Sequence, residues 1–125
     1  MNKRSLRVAI IGAAKRSDYL YGPLIRALPE DVELVSVWGR SAESVERLGK
    51  SLNVPAYTDM DKLLRETAPE IGIVSVGYHA NGEVGLMAAQ SGLHALLETP
   101  IAHKLRACKR ITPHFTNIDL VLVAA

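Results

Sequence analysis

Val8-Ala9-Ile10-Ile11 followed by Gly12 is an apolar, partly β-branched run cut off by a residue without Cβ. Such a run reads as a strand covered on both faces, and the glycine as the tight turn that ends it. Gly12-Ala13-Ala14 then leads into a stretch with Leu24, Ile25 and Leu28 at helical spacing. Strand, small-residue loop and helix form the corner at which dinucleotide-binding folds seat a pyrophosphate against helix N-terminal N–H groups.

The loop departs from G-x-G-x-x-G. Gly12 stands at the first glycine, Ala14 at the second and Ser17 at the third. The second position must be small for the backbone to approach a pyrophosphate, and alanine is nearly small enough; the third serves helix–strand packing, which serine does more loosely. A different register takes Gly22 as the third glycine after a short insertion carrying Tyr19 and Tyr21. On this stretch alone, an ordinary tight strand-to-helix turn remains the alternative.

The remainder keeps alternating. Strands are expected at Arg7–Ile11, Val32–Val37, Pro55–Tyr57, Ile71–Val76, His94–Leu97 and Asp119–Ala124. Between them lie expected helices at Gly22–Leu28, after the N-cap Ser41, at Met60–Glu66 after Asp59, at Glu83–Gln90 and at Ala102–Ile111. Val45, Leu48 and Leu52 share one helical face, Gly77–Asn81 reads as a loop, and Gly92 falls just past a helix end. Strict β-α alternation with apolar strands specifies an α/β fold, a doubly wound parallel sheet. Right-handed crossovers leave the Rossmann order 3-2-1-4-5-6, with a ligand crevice where strands one and four diverge.

At 125 residues the chain is long enough for one domain with a core. A net charge of +2, dispersed along the chain, gives no reason to expect nucleic acid. No apolar run approaches the ~20 residues of a membrane span, and Val8–Ile11 is too short for a signal-peptide core, so a cytoplasmic location is the expectation. The single cysteine, Cys108, allows no intrachain disulfide, suits a reducing compartment and sits beside no activating motif. His103 and His114 have no neighbour at metal-ligand spacing, and no metal site is expected.

The chain resembles the N-terminal domain of the Gfo/Idh/MocA oxidoreductases over nearly its whole length. The resemblance rests on VAIIGAA, VELVSVWGRS, VPAYTDMDKLL and the block EVGLMAAQSGLHALLETPIAH. The last is the most specific: the family reads A-G-K-H-V and then E-K-P-x-A, here Ser91-Gly92-Leu93-His94-Ala95 and Glu98-Thr99-Pro100-Ile101-Ala102. The resemblance implies NAD or NADP on this domain and a sugar-like or other small hydroxylated substrate on a second α/β domain. It implies structural duty for His94. Thr99 replaces the family lysine that contacts nicotinamide and substrate, and Gly77-Tyr78-His79-Ala80-Asn81 replaces P-N-x-x-H. The sequence stops where the family's C-terminal substrate domain would start, so residues 1–125 are expected to be the dinucleotide-binding domain.

Candidate cofactor contacts follow. In the loop they are Gly12, Ala13, Ala14, Lys15 and Arg16, the last two as cations for phosphate or as exposed charges. After strand two they are Gly39, Arg40 and Ser41. NAD enzymes carry an acid there for the ribose 2′-OH; Gly39 removes it, and Arg40 with Ser41 offers a cation and a hydroxyl to a 2′-phosphate. NADP is therefore expected over NAD, the alternative being a solvated Arg40 beside a capping serine. Gly77, Tyr78 and His79 are placed near nicotinamide, with Asn81 as a ligand or a helix cap. Glu98, Thr99 and Pro100 follow strand five at its carboxyl end, where open α/β sheets hold ligands. Trp38 walls the adenine pocket or packs in the core. Threonine cannot serve as a general acid near neutral pH, so no catalytic residue is assigned.

Two further classes stay in view. One is a dinucleotide-binding or sensor module without chemistry, which Thr99 favours. The other is a flavodoxin- or receiver-like domain, which would want a hydroxylated phosphate loop or an acidic cluster, and neither is present. The isolated domain is expected to bind cofactor without turning over substrate, since only one wall of a hydride-transfer site is present.

Overall fold

Alternation along the first strand decides the layering. In the computed structural model, which describes residues 4–98, Lys109 and Leu122–Ala124, β1 spans Leu6–Ile11. Its Val8 and Ile10 enter one core with Tyr21, Ile25, Val37, Val45, Leu48 and Leu52. Its Ala9 and Ile11 enter a second, with Trp38, Met60, Leu63, Val74, Val84, Ala88, Leu93, Ala95 and Leu97. A strand with a core on each face must lie inside a sheet covered by helices on both sides.

The other elements are β2 (Val32–Trp38), α2 (Ala42–Leu52), β3 (Ala56–Tyr57), α3 (Met60–Thr67), β4 (Ile71–Val74), α4 (Tyr78–Gln90), β5 (His94–Leu97) and β6 (Leu122–Ala124), with α1 at Gly22–Arg26. All strand pairs are parallel, and the order is β3-β2-β1-β4-β5-β6. This is the doubly wound Rossmann order that the alternation implies.

Two expected caps are in place. The Ser41 side chain accepts from the Ser44 N–H at 3.3 Å to start α2, and Asp59 Oδ1 accepts from the N–H groups of Asp61 and Lys62 at 3.0 and 3.3 Å to start α3. Gly92 adopts φ +78, as expected one residue beyond the cap of α4.

Two expectations need correction, and others fall outside the described residues. The helix expected at Gly22–Leu28 is α-helical only to Arg26, and a π-helical turn, Ser17–Tyr21, precedes it. Leu24 and Leu28 are exposed at 53% and 48%, whereas Tyr21 and Ile25 carry the buried face. The loop expected at Gly77–Asn81 is instead the first turn of α4, so β4 ends at Val74 and Asn81 lies within a helix that Gly77 caps. The helix Ala102–Ile111 (of which only Lys109, itself helical, is described), Thr99, Pro100, His103, Cys108, His114 and the start of the sixth strand lie outside the described residues. Among those described, no helix is long and apolar enough to cross a membrane.

Glu70, just before β4, ties the amino ends of three strands together. Its carboxylate accepts from both terminal nitrogens of Arg4, at 2.8 and 2.6 Å, and from the backbone N–H of Arg7 at 2.9 Å. Its own N–H donates to Arg7 O, and its carbonyl accepts from the N–H of His94. The Arg4 hydrogen bonds, with that of the Arg7 backbone, hold the Glu70 carboxyl down at about 2. A carboxyl depressed in the folded state stabilises fully above its ordinary value of 4.5, and that contribution is lost as pH falls from there toward 2. Glu70→Gln should therefore lower the urea midpoint at neutral pH and flatten its decline across this acid window. An unchanged acid profile in the variant would show that other carboxylates carry the acid sensitivity.

Candidate functional site

The carboxyl ends of β1, β2 and β4 converge on a cleft. Gly12 turns the chain off β1 with φ +126, and a Cβ there would lie 2.1 Å from Ser75 O and 2.5 Å from Val76 Cγ1. No side chain fits, and the backbone of the loop is thereby pressed against the end of β4. Gly12 N donates to Trp38 O at 2.7 Å and Ala14 N to Ser75 O at 3.4 Å, which fixes the loop between the two strands that flank it.

Ser17 takes the third-glycine place. It is fully buried, and its hydroxyl donates to Gly12 O at 2.8 Å, pinning the first helical turn to the loop. Gly22 does a different job. A Cβ there would approach Leu52 Cδ2 to 2.4 Å, so this glycine lets the first helix come close to α2 while Ile25 packs on the sheet.

The cleft has a volume of about 260 Å³, and Gly12, Ala13, Ala14, Gly39, Arg40 and Gly77 all line it. It lies between β1 and β4, the switch point where open α/β sheets bind ligands. Trp38, Ser44, Val76, Ala80 and Val84 also line it. Of these, only Trp38 stands out in the sequence. Ala80 and Val84 stand four apart on one face of α4, a spacing that could have marked them once the helix was known to begin at Tyr78. A larger depression of about 510 Å³ around Gly49, Asn53 and Pro55 lies at the amino end of β3, away from these strand ends.

Trp38 is 6% exposed in the core, its Nε1–H donates to Thr58 O at 3.0 Å, and it also borders the cleft. Gly39 could not be exchanged for an acid without movement of α2, because a Cβ would sit 2.9 Å from Val45 Cβ. The Ser41 hydroxyl is engaged in capping α2. Arg40 reaches across to α4, its Nη2 lying 3.0 Å from Glu83 Oε2.

A second group gathers on Glu98, directly after β5. Tyr21 OH donates to Glu98 Oε1 at 2.6 Å, and Arg16 Nη1 lies 3.1 Å from Glu98 Oε2. Asn81 Nδ2 donates to the Glu98 carbonyl at 2.6 Å. Asn81 therefore anchors α4 to the end of β5 instead of capping a helix. Arg16 faces this carboxylate, while Lys15 and His79 are exposed and outside the lining of the cleft. Sequence reading missed Tyr21 as a partner of Glu98, because the two are 77 positions apart.

These elements define a dinucleotide-binding Rossmann domain. The chain belongs to the GFO_IDH_MocA family, described as an oxidoreductase family with an NAD-binding Rossmann fold, whose model matches residues 6–124. An uncharacterized oxidoreductase of Schizosaccharomyces pombe is 30% identical over 119 residues, which is 94% of this chain and 32% of that protein. The chain thus spans about a third of the length of the curated relatives it matches. Among solved structures, the WlbA dehydrogenase from Bordetella pertussis, in complex with NADH and UDP-GlcNAcA, superimposes with a TM-score of 0.84. That match is 16% identical and covers 96% of this chain and 36% of that one. KijD10, a 3-ketoreductase from Actinomadura kijaniata in complex with NADP and TDP-benzene, gives 0.83 at 20% identity, covering 96% and 37%. At such identities these two likenesses speak for the fold.

Burial first, then the hydrogen bond to Glu98 and its negative charge, push the Tyr21 phenol up to about 12. The neutral phenol is the donor, so its stabilising effect is complete below pH about 10 and is lost as pH rises toward 12. Tyr21→Phe should cost about 1–2 kcal/mol at neutral pH, as expected for a hydrogen bond to a charged group at a partly buried site. Chemical denaturation at neutral and alkaline pH checks this; the alkaline loss should shrink in the variant.

Proposed function

We propose that this domain binds NADP(H) in preference to NAD(H) and serves an oxidoreductase that transfers hydride between the nicotinamide and a sugar-like or other small hydroxylated substrate. The observation that carries the reading is the cleft at the β1–β4 switch point, with Gly12–Ala14 on one side and Gly39 and Arg40 at the end of β2. The pyrophosphate would lie over Gly12–Ala14, where the first helical turn presents backbone N–H groups. The ribose 2′-phosphate would meet Arg40, with the hydroxyls of Ser41 and Ser44 nearby in sequence. No carboxylate of β2 stands in its way, because Gly39 occupies the place of the acid.

Nicotinamide, when bound, supplies the carbon that gives or takes the hydride. This chain would hold and orient it through Gly77, Tyr78, His79 and Asn81 on one side and Glu98, Thr99 and Pro100 on the other. Asn81 and Tyr21 already fix the backbone and carboxylate of Glu98, so the far end of the site is braced by contacts that span three elements. We further propose that residues 1–125 are the cofactor half of the enzyme and that the substrate is read by a further domain of the kind that the family's resemblance implies.

A charge-assisted contact to the 2′-phosphate is worth about 1.5–3 kcal/mol, or roughly tenfold or more in affinity. Fluorescence titration of the chain with NADPH and NADH should show that preference, and Arg40→Ala should abolish it by weakening NADPH alone. Equal affinities in the unmodified chain would remove the 2′-phosphate assignment. Positioning of donor and acceptor supplies about 7–11 kcal/mol of barrier lowering. Residues 1–125 by themselves should therefore bind cofactor yet reduce no NADP with sugars, inositols or hydroxy acids. Saturable turnover would show that the chain completes the site alone.

A further inference from the structure

We propose that Glu83 is a second determinant of cofactor choice, acting against the 2′-phosphate from the opposite wall of the cleft; this rests on the reading that Arg40 receives that phosphate. Three observations carry it. Glu83 stands one turn beyond Ala80, which lines the cleft, and meets Arg40, another lining residue, so its carboxylate sits at the cleft's rim on α4. Its Oε2 lies 3.0 Å from Arg40 Nη2, and the pair joins the end of β2 to α4 across the cleft's mouth. The β2 end cannot itself supply an acid, because a Cβ at Gly39 would come within 2.9 Å of Val45 Cβ.

An acid therefore reaches the ribose end of the site from α4 instead of from β2. A 2′-phosphate drawn to the Arg40 guanidinium competes with the Glu83 carboxylate that Nη2 now meets, and the two anions repel each other at that distance. The contact through Nη2 is a single one, and the two side chains are 56% and 76% exposed. Such a pair is weak and easily opened, so Glu83 narrows the preference for NADPH without barring it. NADH has no 2′-phosphate and leaves the pair closed.

The test is a titration of NADPH and NADH against the full chain and its Glu83→Gln, Arg40→Ala and Glu30→Gln variants, with circular dichroism to confirm folding. Glu30 is exposed at the amino end of β2 and removes the same charge far from the cleft. Glu83→Gln should bind NADPH about two- to fivefold more tightly, with NADH unchanged. If Arg40→Ala weakens NADPH while Glu83→Gln leaves it unchanged, the Glu83 assignment fails and the 2′-phosphate reading stands. An equal gain from Glu30→Gln would reduce the effect to net charge and overturn the assignment as well. If Arg40→Ala leaves NADPH binding unaltered, or if neither cofactor binds, the 2′-phosphate reading falls and this inference falls with it.

Discussion

The contact on which the rest depends is the passage of Gly12 against the end of β4. With Ser75 O only 2.1 Å from where a Cβ would be, and φ at +126, this is a position for glycine alone. It brings two parallel strands close enough for the loop between β1 and the first helix to lie directly over the switch point. Ser17 then locks the helix to Gly12 through a buried hydrogen bond, so the phosphate-facing backbone is set by packing and not by ligand. Pre-formed backbone donors of this kind lose little ordering entropy when an anion arrives.

Most of the fold could be read from the chain because it follows from short-range rules. Val8 to Ile11 carries its apolar character on both faces, and a parallel central strand is the ordinary outcome. Ser41 and Asp59 are side chains whose only strong local use is to cap a helix, and both do so. The start of α4 was illegible for the converse reason. Gly77, Gly82 and Gly85 lower helix propensity, and Tyr78 to Asn81 reads as a polar turn. Tertiary contact overrides this: Ala80 and Val84 meet the sheet-side cores and Asn81 is bonded to the Glu98 carbonyl.

The site divides in the same manner. Gly12 to Ala14, Gly39 and Arg40 follow from their place at strand ends, and the structure brings them to one cleft. What no local pattern can reveal is who faces whom across it. Arg16 and Arg40 looked alike as cations near phosphate, yet one is held by Glu98 and the other by Glu83. These pairings join residues far apart in sequence, and depend on the relative rotation of helices that the strand pattern leaves undetermined. The same holds for the helical set Leu24, Ile25 and Leu28, of which only Ile25 is buried, with Tyr21 beside it.

The π-helical turn at Ser17–Tyr21 accounts for that rotation. Adding one residue to a helical turn swings everything beyond it by about 100° around the axis. Upstream, the helix must meet the phosphate loop through Ser17; downstream, it must set Gly22 against Leu52 and Ile25 against the sheet. The wider turn decouples these two demands, working as a phase adjuster between the loop corner and the packed helix face. Excising one residue from it would force a choice: either the loop keeps its seat and the helix rolls, or the helix stays packed and the loop is dragged out of line.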